Sequence, residues 1–522
     1  MKAEKERWGT RFGVILAVTG SAVGLGNFLR FPGLAAQYEG GAFMIPYFIA
    51  LLLVGLPLAW AEWAMGRYGG VRGFNSTPGI FRCICGNRFS AFLGVFGLIV
   101  PVVIYMYYVF IEAWCLGYAW NYLTGALSLG PNREAYQNFF VGYIGAGADG
   151  ALFREPWNQT LIFVALCIGL NFLLIYRGIS RGIEWFCLRA MPVLVVCAVL
   201  VLVRVLTLGT PDPARPELNV WNGLGFMWNP HFGETGFLES LANPTMWLEA
   251  AGQIFFSLSV GFGVVITYAS YLRKNDDIAL SSTTAVAGNE FCEVSLGGMI
   301  TVPAAFVFFG AAGLAGGTFG LGFQTLPMVF DLMPLGRWVG FLFFFLLFLA
   351  AVTSSLSMLQ PAIAFLEEGL GLDRKASVAM LGFITLVGNG VVIYFSENTA
   401  AIDGMDFWVG TFCIYLLATI QSIIFAWVLG TKAGLAELQR GAGIRIPGWF
   451  PFVVRYVSPT ILLTIMGFWL VQKFQVDLLK HWSSTGGRVA MMFVGACLVF
   501  FLVLIHQAVQ RWEAAERKEG KT

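Results

Sequence analysis

Long apolar segments recur about twelve times along the chain, each roughly 20 residues or longer, the length that an α-helix needs to cross a bilayer. This pattern predicts an all-α polytopic membrane protein with about twelve transmembrane helices. The predicted spans lie near residues 12–36, 42–66, 89–124, 160–176, 186–208, 243–269, 278–309, 338–366, 377–395, 406–429, 450–474 and 486–510.

Small residues interrupt the first and the sixth of these segments. Residues 20–27 read GSAVGLGN, and residues 257–263 read SLSVGFG. Because lipid offers no hydrogen-bond partners, a span can unwind at mid-membrane only where the freed backbone lines a cavity walled by protein. Two such breaks at corresponding places in two halves of a chain are typical of secondary transporters and predict a substrate and ion site at the midplane.

Counting from the two broken spans divides the chain into two five-helix units of opposite orientation, a 5+5 inverted repeat with two additional helices. The third span of each unit carries polar groups, around Tyr108 and Thr353, so spans 1, 3, 6 and 8 are expected to build the site. The expected divisions are a cytoplasmic N-terminal segment at 1–11, repeat one at 12–208, an extracellular loop at 209–240, repeat two at 241–429, and the last two helices with a cytoplasmic C-terminus at 430–522.

Composition agrees with a membrane setting. Hydrophobic residues make up 57% of the chain and charged residues only 12%, whereas a soluble domain carries about 25% charged residues. With the N-terminus in the cytoplasm, most of the 32 Lys and Arg residues fall on the cytoplasmic side. We therefore expect a multi-pass protein of a prokaryotic inner or plasma membrane, with both termini in the cytoplasm.

The first break can bind ions of both signs. Unwound backbone around Gly24 exposes N–H groups at the positive end of the following half-helix, which favours a carboxylate. Free carbonyls at the end of the preceding half-helix suit a hard cation. Packing of small residues between helices is the alternative, and for an isolated Gly-x-Gly it is the better one. The second break and five neutral polar side chains within the spans favour ion coordination instead: Ser257, Ser259, Asn289, Thr353 and Ser354.

Charged side chains inside or at the ends of spans are costly in lipid and therefore indicate function or pairing. The candidates are Arg30, Glu62, Glu112, Glu290, Glu293, Glu367, Glu368 and Asp406. Arg30 and Asp406 could close the site from outside, and Lys5 and Glu368 from inside.

Other function classes fit less well. A membrane enzyme would need His, Cys or paired carboxylates converging in a cavity, but the three histidines lie in loops or in the last span. A passive pore conflicts with the paired gate charges. The sequence indicates neither an enzyme nor a nucleic-acid partner, suggests no organic cofactor, and leaves a homodimer open.

Several ordered motifs resemble the neurotransmitter:sodium symporter family, across about residues 5 to 475. They are WGTR at 8–11, AVGLGNFLRFP at 22–32, GGAF at 40–43, EWAMGR at 62–67, RGISRGIE at 177–184 and GQIFFSLS at 252–259. The resemblance implies a LeuT-like fold with helices 1 and 6 unwound. It also implies symport of two Na⁺ ions with a neutral, aliphatic hydrophobic amino acid by alternating access. Monoamine-transporting relatives place an aspartate at the position of Gly24, so Gly24 argues for a guest that brings its own carboxylate.

The resemblance also implies two sodium sites. Site 1 would use the carbonyls of Ala22 and Ser257, the side chains of Asn27, Ser257 and Asn289, and the substrate carboxylate. Site 2 would use the carbonyls of Gly20, Val23 and Ala350 with the hydroxyls of Thr353 and Ser354. A bacterial member of the family carries threonine in place of Ser257, a change that keeps the coordinating oxygen.

The substrate site and gates follow from the same resemblance. The substrate residues would be Ala22, Leu25, Gly26, Ile104, Tyr108, Phe256, Ser257, Ser259, Phe262 and Met358. The gates would be Arg30 with Asp406 outside and Lys5 with Glu368 inside, the latter weakened because lysine lacks the bidentate geometry of arginine. Glu293 takes the position of a serine in chloride-dependent relatives, which implies chloride-independent transport.

Overall fold

A computed structural model describes residues 6–38, 40–155, 157–229, 237–314, 316–472 and 474–519. These residues form helices and loops and contain no β-strand. Ten of their helices are long and apolar enough to cross a membrane, or eleven when one bent pair counts as a single span. Lys5 lies outside the described residues.

The helices are numbered here in chain order. They are α1 (Arg11–Ala22), α2 (Gly26–Gln37), α3 (Gly41–Val71), α4 (Arg88–Thr124), α5 (Gln159–Tyr176), α6 (Ile179–Leu206), α7 (Pro244–Leu258), α8 (Val264–Ser270), α9 (Ile278–Leu314), α10 (Gly336–Leu370), α11 (Arg374–Tyr394), α12 (Glu397–Gln439), α13 (Phe450–Gln472) and α14 (Thr485–Lys518). The sixth predicted span, 243–269, is present as the two shorter helices α7 and α8.

The first predicted break lies between α1 and α2, whose axes bend by 48°. Its freed backbone donors are satisfied inside the protein rather than by lipid. The Gly24 N–H donates to Asn27 Oδ1 at 2.8 Å, and the Leu25 N–H donates to the Tyr108 hydroxyl at 3.1 Å. These two N–H groups therefore keep hydrogen-bond partners where the helix unwinds.

The second predicted break joins α7 to α8 through backbone of positive φ. Ser259, Gly261 and Gly263 have φ angles of 53°, 75° and 79°. A Cβ on Gly263 would also lie 2.4 Å from the Gly97 carbonyl oxygen of α4. Glycine is thus needed there for both conformation and space. The freed Gly261 N–H donates to the buried Glu62 carboxylate at 2.7 Å.

The broken helices lie among the longest intact ones. Helix α10 packs along α4, and α1 packs against both α9 and α10. Helix α7 contacts α2, and α8 packs against α3. The two breaks are consequently surrounded by α4, α9 and α10. Helices α4 and α10 carry the polar residues predicted for the third spans, and α9 carries Asn289.

Candidate functional site

Four buried polar side chains converge beside the two breaks. They are Asn27 of α2, Ser257 of α7, and Asn289 and Glu293 of α9. Asn27 Nδ2 donates to Asn289 Oδ1 at 2.9 Å and to Glu293 Oε2 at 3.1 Å. Asn289 Nδ2 donates to Ser257 Oγ at 2.6 Å, and the Ser257 hydroxyl donates to Glu293. The structure thus brings together the three side chains predicted for sodium site 1 and adds Glu293 to them.

Glu293 is the acidic residue at the centre of this cluster. Its second oxygen accepts from Gln253 Nε2 at 2.7 Å, and within the described ranges no basic side chain forms a salt bridge with it. A buried carboxylate held only by neutral donors is electrostatically costly, and a neighbouring cation would offset that cost. Neutral oxygens next to a buried acid form a donor set suited to a hard monovalent cation.

Gln253 was not among the predicted site residues. It precedes Ser257 by four positions and so shares one face of α7. That spacing, within the motif at 252–259, was the signal from which it could have been found. Its side-chain oxygen also accepts from Arg30 Nη1 at 2.7 Å, so one amide links Glu293 to the outer arginine.

The residues predicted for sodium site 2 lie where α10 meets the end of α1. Ser354 Oγ donates to the Ser21 carbonyl at 3.2 Å, and its distance to the Gly20 carbonyl is 3.5 Å. Thr353 Oγ1 donates to the Ala350 carbonyl at 2.9 Å. A Cβ on Gly20 would lie 3.2 Å from the Thr353 Cβ, so glycine allows this close approach. Val23, the remaining predicted residue, is fully buried at the break.

A small cavity of about 10 Å³, roughly the space of one water molecule, lies between the breaks. Eight of the predicted substrate residues line it: Ala22, Gly26, Tyr108, Phe256, Ser257, Ser259, Phe262 and Met358. Leu25 is not part of the lining, but its N–H donates to the hydroxyl of Tyr108, which is. Ile104 is fully buried one turn before Tyr108 and is not part of the lining.

Three hydroxyls that the resemblance did not assign as a group meet beside this cavity. Ser21 Oγ donates to Ser357 Oγ at 2.7 Å, and Ser259 Oγ donates to the Ser21 carbonyl at 3.0 Å. Ser21 and Ser357 were not predicted, because each alone resembles an ordinary polar contact between membrane helices. Together, the two hydrogen bonds connect α1 to α10 and to the second break.

The two predicted outer-gate residues face a common cavity of about 220 Å³ but have different partners. Arg30 Nη2 lies 3.3 Å from Glu249 Oε2 in an ion pair, and Asp406 Oδ1 accepts from the Tyr107 hydroxyl at 2.6 Å. The structure therefore places Arg30 and Asp406 on one cavity without joining them by a salt bridge. Sequence reasoning missed Glu249, which lies four residues before Gln253.

Near the C-terminal end of α10, Glu368 accepts from the Ser76 N–H at 2.9 Å and from its hydroxyl at 3.1 Å. Its predicted partner Lys5 is not described. Arg374 provides a basic residue nearby, lying 3.2 Å from Glu367 and 3.6 Å from Glu6. This ion-pair group links the N-terminal segment to the end of α10.

Comparison with known proteins identifies the family of the chain. The sequence profile of the sodium:neurotransmitter symporter family matches residues 5–138 and 155–512. An uncharacterized sodium-dependent transporter of Methanocaldococcus jannaschii is 29% identical over 89% of this chain and 90% of its own. The sodium- and chloride-dependent glycine transporter 1 of Xenopus laevis is 23% identical over 96% of this chain and 84% of its own.

Among solved structures, that of MhsT in complex with L-phenylalanine is similar with a TM-score of 0.73 and 29% identity, covering 88% of this chain and 99% of MhsT. This similarity confirms the expected LeuT-like, all-α membrane fold. The count of twelve spans stays a prediction, since ten or eleven helices of the described residues are long and apolar enough to cross a membrane. The expectation of a sodium-dependent transporter and not an enzyme is likewise confirmed by the profile match. The chain belongs to the sodium:neurotransmitter symporter family.

Proposed function

We propose that this protein is a symporter that couples the import of a neutral, aliphatic hydrophobic amino acid to two Na⁺ ions by alternating access. One observation carries the proposal: the buried cluster of Asn27, Ser257, Asn289 and Glu293 directly adjoins the broken α1–α2 backbone. A cation donor set and a carboxylate-binding backbone thus lie side by side. Membership of a sodium-coupled family supports the same assignment.

The substrate carboxylate would meet the positive end of α2. The N–H of Leu25 now donates to the Tyr108 hydroxyl, and a carboxylate could accept from both groups. The substrate ammonium would face the carbonyl ends of α1 and α7 with the Ser259 hydroxyl. Gly24 carries no competing acid, so the guest must supply the carboxylate itself.

Sodium at site 1 would be coordinated by the substrate carboxylate together with Asn27, Ser257 and Asn289. Sodium at site 2 would bridge α1 and α10. Coordination at site 1 requires the amide oxygens of Asn27 and Asn289 to exchange their present N–H donors for the ion. Since ion and substrate share one oxygen shell, each is expected to raise the affinity of the other by the same factor.

Binding of leucine is therefore expected to fall by at least about 100-fold when sodium is replaced by potassium or choline, since a coupling free energy of about 3 kcal/mol is within the usual range. Scintillation-proximity binding of radiolabelled leucine to the purified protein measures this effect. The variant Asn289→Ala should lose most of the sodium dependence, while Asn222→Ala, in an exposed loop helix, should keep it. Equal leucine affinity of the wild type in sodium and in choline would refute the coupling.

Alternating access would use the gate residues in turn. The cavity between the breaks has too little volume for an amino acid, so binding requires the surrounding helices to separate. We infer that Arg30 then exchanges Glu249 for Asp406 when the site closes from outside. The Lys5–Glu368 inner gate stays a prediction, and Arg374 offers a second basic residue on that side.

The side-chain pocket would exclude charged amino acids. Its walls, Phe256, Phe262 and Met358, offer no partner for a charged group, which would be stranded among apolar atoms. Leucine, methionine, alanine and valine are the expected guests. L-Phenylalanine occupies MhsT, and an aromatic guest is the second candidate for this chain.

The variant Ile104→Ala should discriminate between these guests. Ile104 is fully buried behind the lining, so its truncation gives the neighbouring side chains room to retreat. We expect the affinity for phenylalanine and tryptophan to rise by about five-fold, corresponding to roughly 1 kcal/mol, while that for alanine changes little. Competition against radiolabelled leucine measures the series. Displacement of leucine by arginine or aspartate as well as by methionine would show that the pocket is assigned wrongly.

The membrane arrangement completes the proposal. The family and the apolar helices establish a multi-pass membrane protein. We further propose that both termini lie in the cytoplasm, as the distribution of Lys and Arg indicates, and that the cell is prokaryotic, as similarity to an archaeal transporter supports. The division into two inverted units at 12–208 and 241–429, and a homodimeric state, stay predictions.

A further inference from the structure

A fully buried carboxylate on α4 has no role in the transport cycle described above. Glu112 lies one turn beyond Tyr108 and accepts from Asn171 Nδ2 at 3.2 Å with each oxygen. Ser355 Oγ donates to Glu112 Oε2 at 2.5 Å. In the described part of the chain no salt bridge reaches this carboxylate. Within the described residues, this carboxyl group therefore has only neutral hydrogen-bond donors.

The Ser355 contact connects this carboxylate to the proposed site 2. Three consecutive hydroxyls of α10 point in different directions, because successive residues of an α-helix are rotated by about 100°. Thr353 bonds within α10, Ser354 bonds to the end of α1, and Ser355 bonds to Glu112 on α4. The bond between Ser355 and Glu112 thus joins α10 to α4 at the residue next to Ser354, which bonds to α1.

Glu112 also places an acidic group next to a donor set that contains none. Site 2, as proposed, has only neutral donors, three carbonyls and two hydroxyls, whereas site 1 has Glu293 and the substrate carboxylate. Glu112 is bonded to the residue that follows Ser354. A cation at site 2 would offset part of the cost of burying this carboxylate, and the carboxylate would in turn favour the cation.

We propose that Glu112 is a positioning residue that sets the sodium affinity of site 2, through its hydrogen bond to Ser355 and its negative charge. This inference rests on the proposed function, since it requires a cation between α1 and α10. A purely structural alternative is that Glu112 only joins α4, α5 and α10. The alternative predicts lower stability in every buffer, whereas the proposal predicts a loss specific to sodium.

The test is binding of ²²Na⁺ to the purified full-length protein in lipid nanodiscs, without amino acid, so that no substrate carboxylate completes site 1. Glu112→Gln keeps an acceptor for Ser355 but removes the charge. Ser355→Ala keeps the charge but removes the bond. Each is expected to weaken sodium binding by about ten-fold, Glu112→Gln because a charge interaction in a partly shielded interior is lost and Ser355→Ala because a buried hydrogen bond is lost. Ser355→Thr keeps a hydroxyl and should restore the affinity.

Asn389→Ala is the matched control. It removes another buried bond to α4, which Asn389 Nδ2 donates to the Met106 carbonyl at 2.8 Å, and this bond does not involve α10. This variant should keep wild-type sodium affinity. The Tm of each variant in sodium-free potassium buffer separates a loss of stability from a loss of sodium binding.

The outcomes are distinguishable. Wild-type protein that binds no ²²Na⁺ would overturn the proposed function itself. Wild-type sodium affinity in both Glu112→Gln and Ser355→Ala would overturn the role of Glu112 and leave the symporter assignment intact. Equal losses in Asn389→Ala and Ser355→Ala, with parallel drops in Tm in potassium, would establish the purely structural alternative.

Discussion

Uptake by the variant Glu293→Ser is expected to require chloride, whereas uptake by the wild-type protein is expected to proceed without it. In the structure the Glu293 carboxylate accepts from Asn27 and Gln253 and from the Ser257 hydroxyl. Serine would remove the negative charge but leave these donors in place. A chloride ion could then accept from them and restore the charge next to site 1.

The measurement is sodium-driven leucine uptake into proteoliposomes in chloride or gluconate. We expect uptake by Glu293→Ser in gluconate to fall to about a tenth or less of its value in chloride, because loss of a compensating charge in a shielded site amounts to at least about 1.4 kcal/mol. Glu62→Gln is the control, since Glu62 is a buried carboxylate that bonds to Gly261 and not to this cluster. If gluconate depresses wild-type uptake as strongly as that of the variant, Glu293 does not replace chloride.

The variant Gly24→Ala is expected to lose amino-acid binding almost completely. A Cβ at this position would lie 2.8 Å from the Tyr108 hydroxyl and 2.9 Å from Ser354 Oγ, closer than carbon and oxygen normally approach. Both side chains are buried and cannot withdraw freely. Tyr108 also accepts from the Leu25 N–H, so displacement of Tyr108 would disturb the proposed carboxylate site. Displacement of Ser354 would disturb the proposed site 2.

We expect leucine affinity to fall by about 100-fold in Gly24→Ala, equivalent to about 2.8 kcal/mol. Scintillation-proximity binding in saturating sodium gives the value. Gly142→Ala is the matched control, because Gly142 is exposed in a loop helix and a Cβ there meets no atom within 4 Å. Leucine affinity in Gly24→Ala within two-fold of that in Gly142→Ala would mean that the guest binds elsewhere.

Helix positions and breaks were accessible from the sequence because both depend on local rules. The span predicted at 89–124 is the helix Arg88–Thr124, and the span predicted at 160–176 is Gln159–Tyr176. A bilayer imposes a length on each apolar helix and penalises every unpaired backbone group, so apolar length and a glycine-rich interruption are informative without tertiary knowledge. The break after Ala22 was predictable for this reason.

Pairing of charges was far less accessible. Arg30 has two acidic candidates, Asp406 on α12 and Glu249 on α7, and its partner depends on which helix lies nearer in the conformation adopted. Likewise, Glu367 and Glu6 pair with Arg374, a residue with no distinguishing sequence context. Coulombic attraction depends on distances set by helix packing, and such distances are not encoded in sequence spacing.

The sequence by itself determined that this protein crosses the membrane, where its helices unwind, and, through the family motifs, which oxygens are candidates for ions and substrate. Only the tertiary structure decided that Glu293 joins Asn27, Ser257 and Asn289, that Gln253 links this cluster to Arg30, and that Glu112 bonds to Ser355. These contacts join residues on different helices, often hundreds of positions apart. Hydrophobic length is a property of one segment, whereas a hydrogen bond between helices exists only once both have packed.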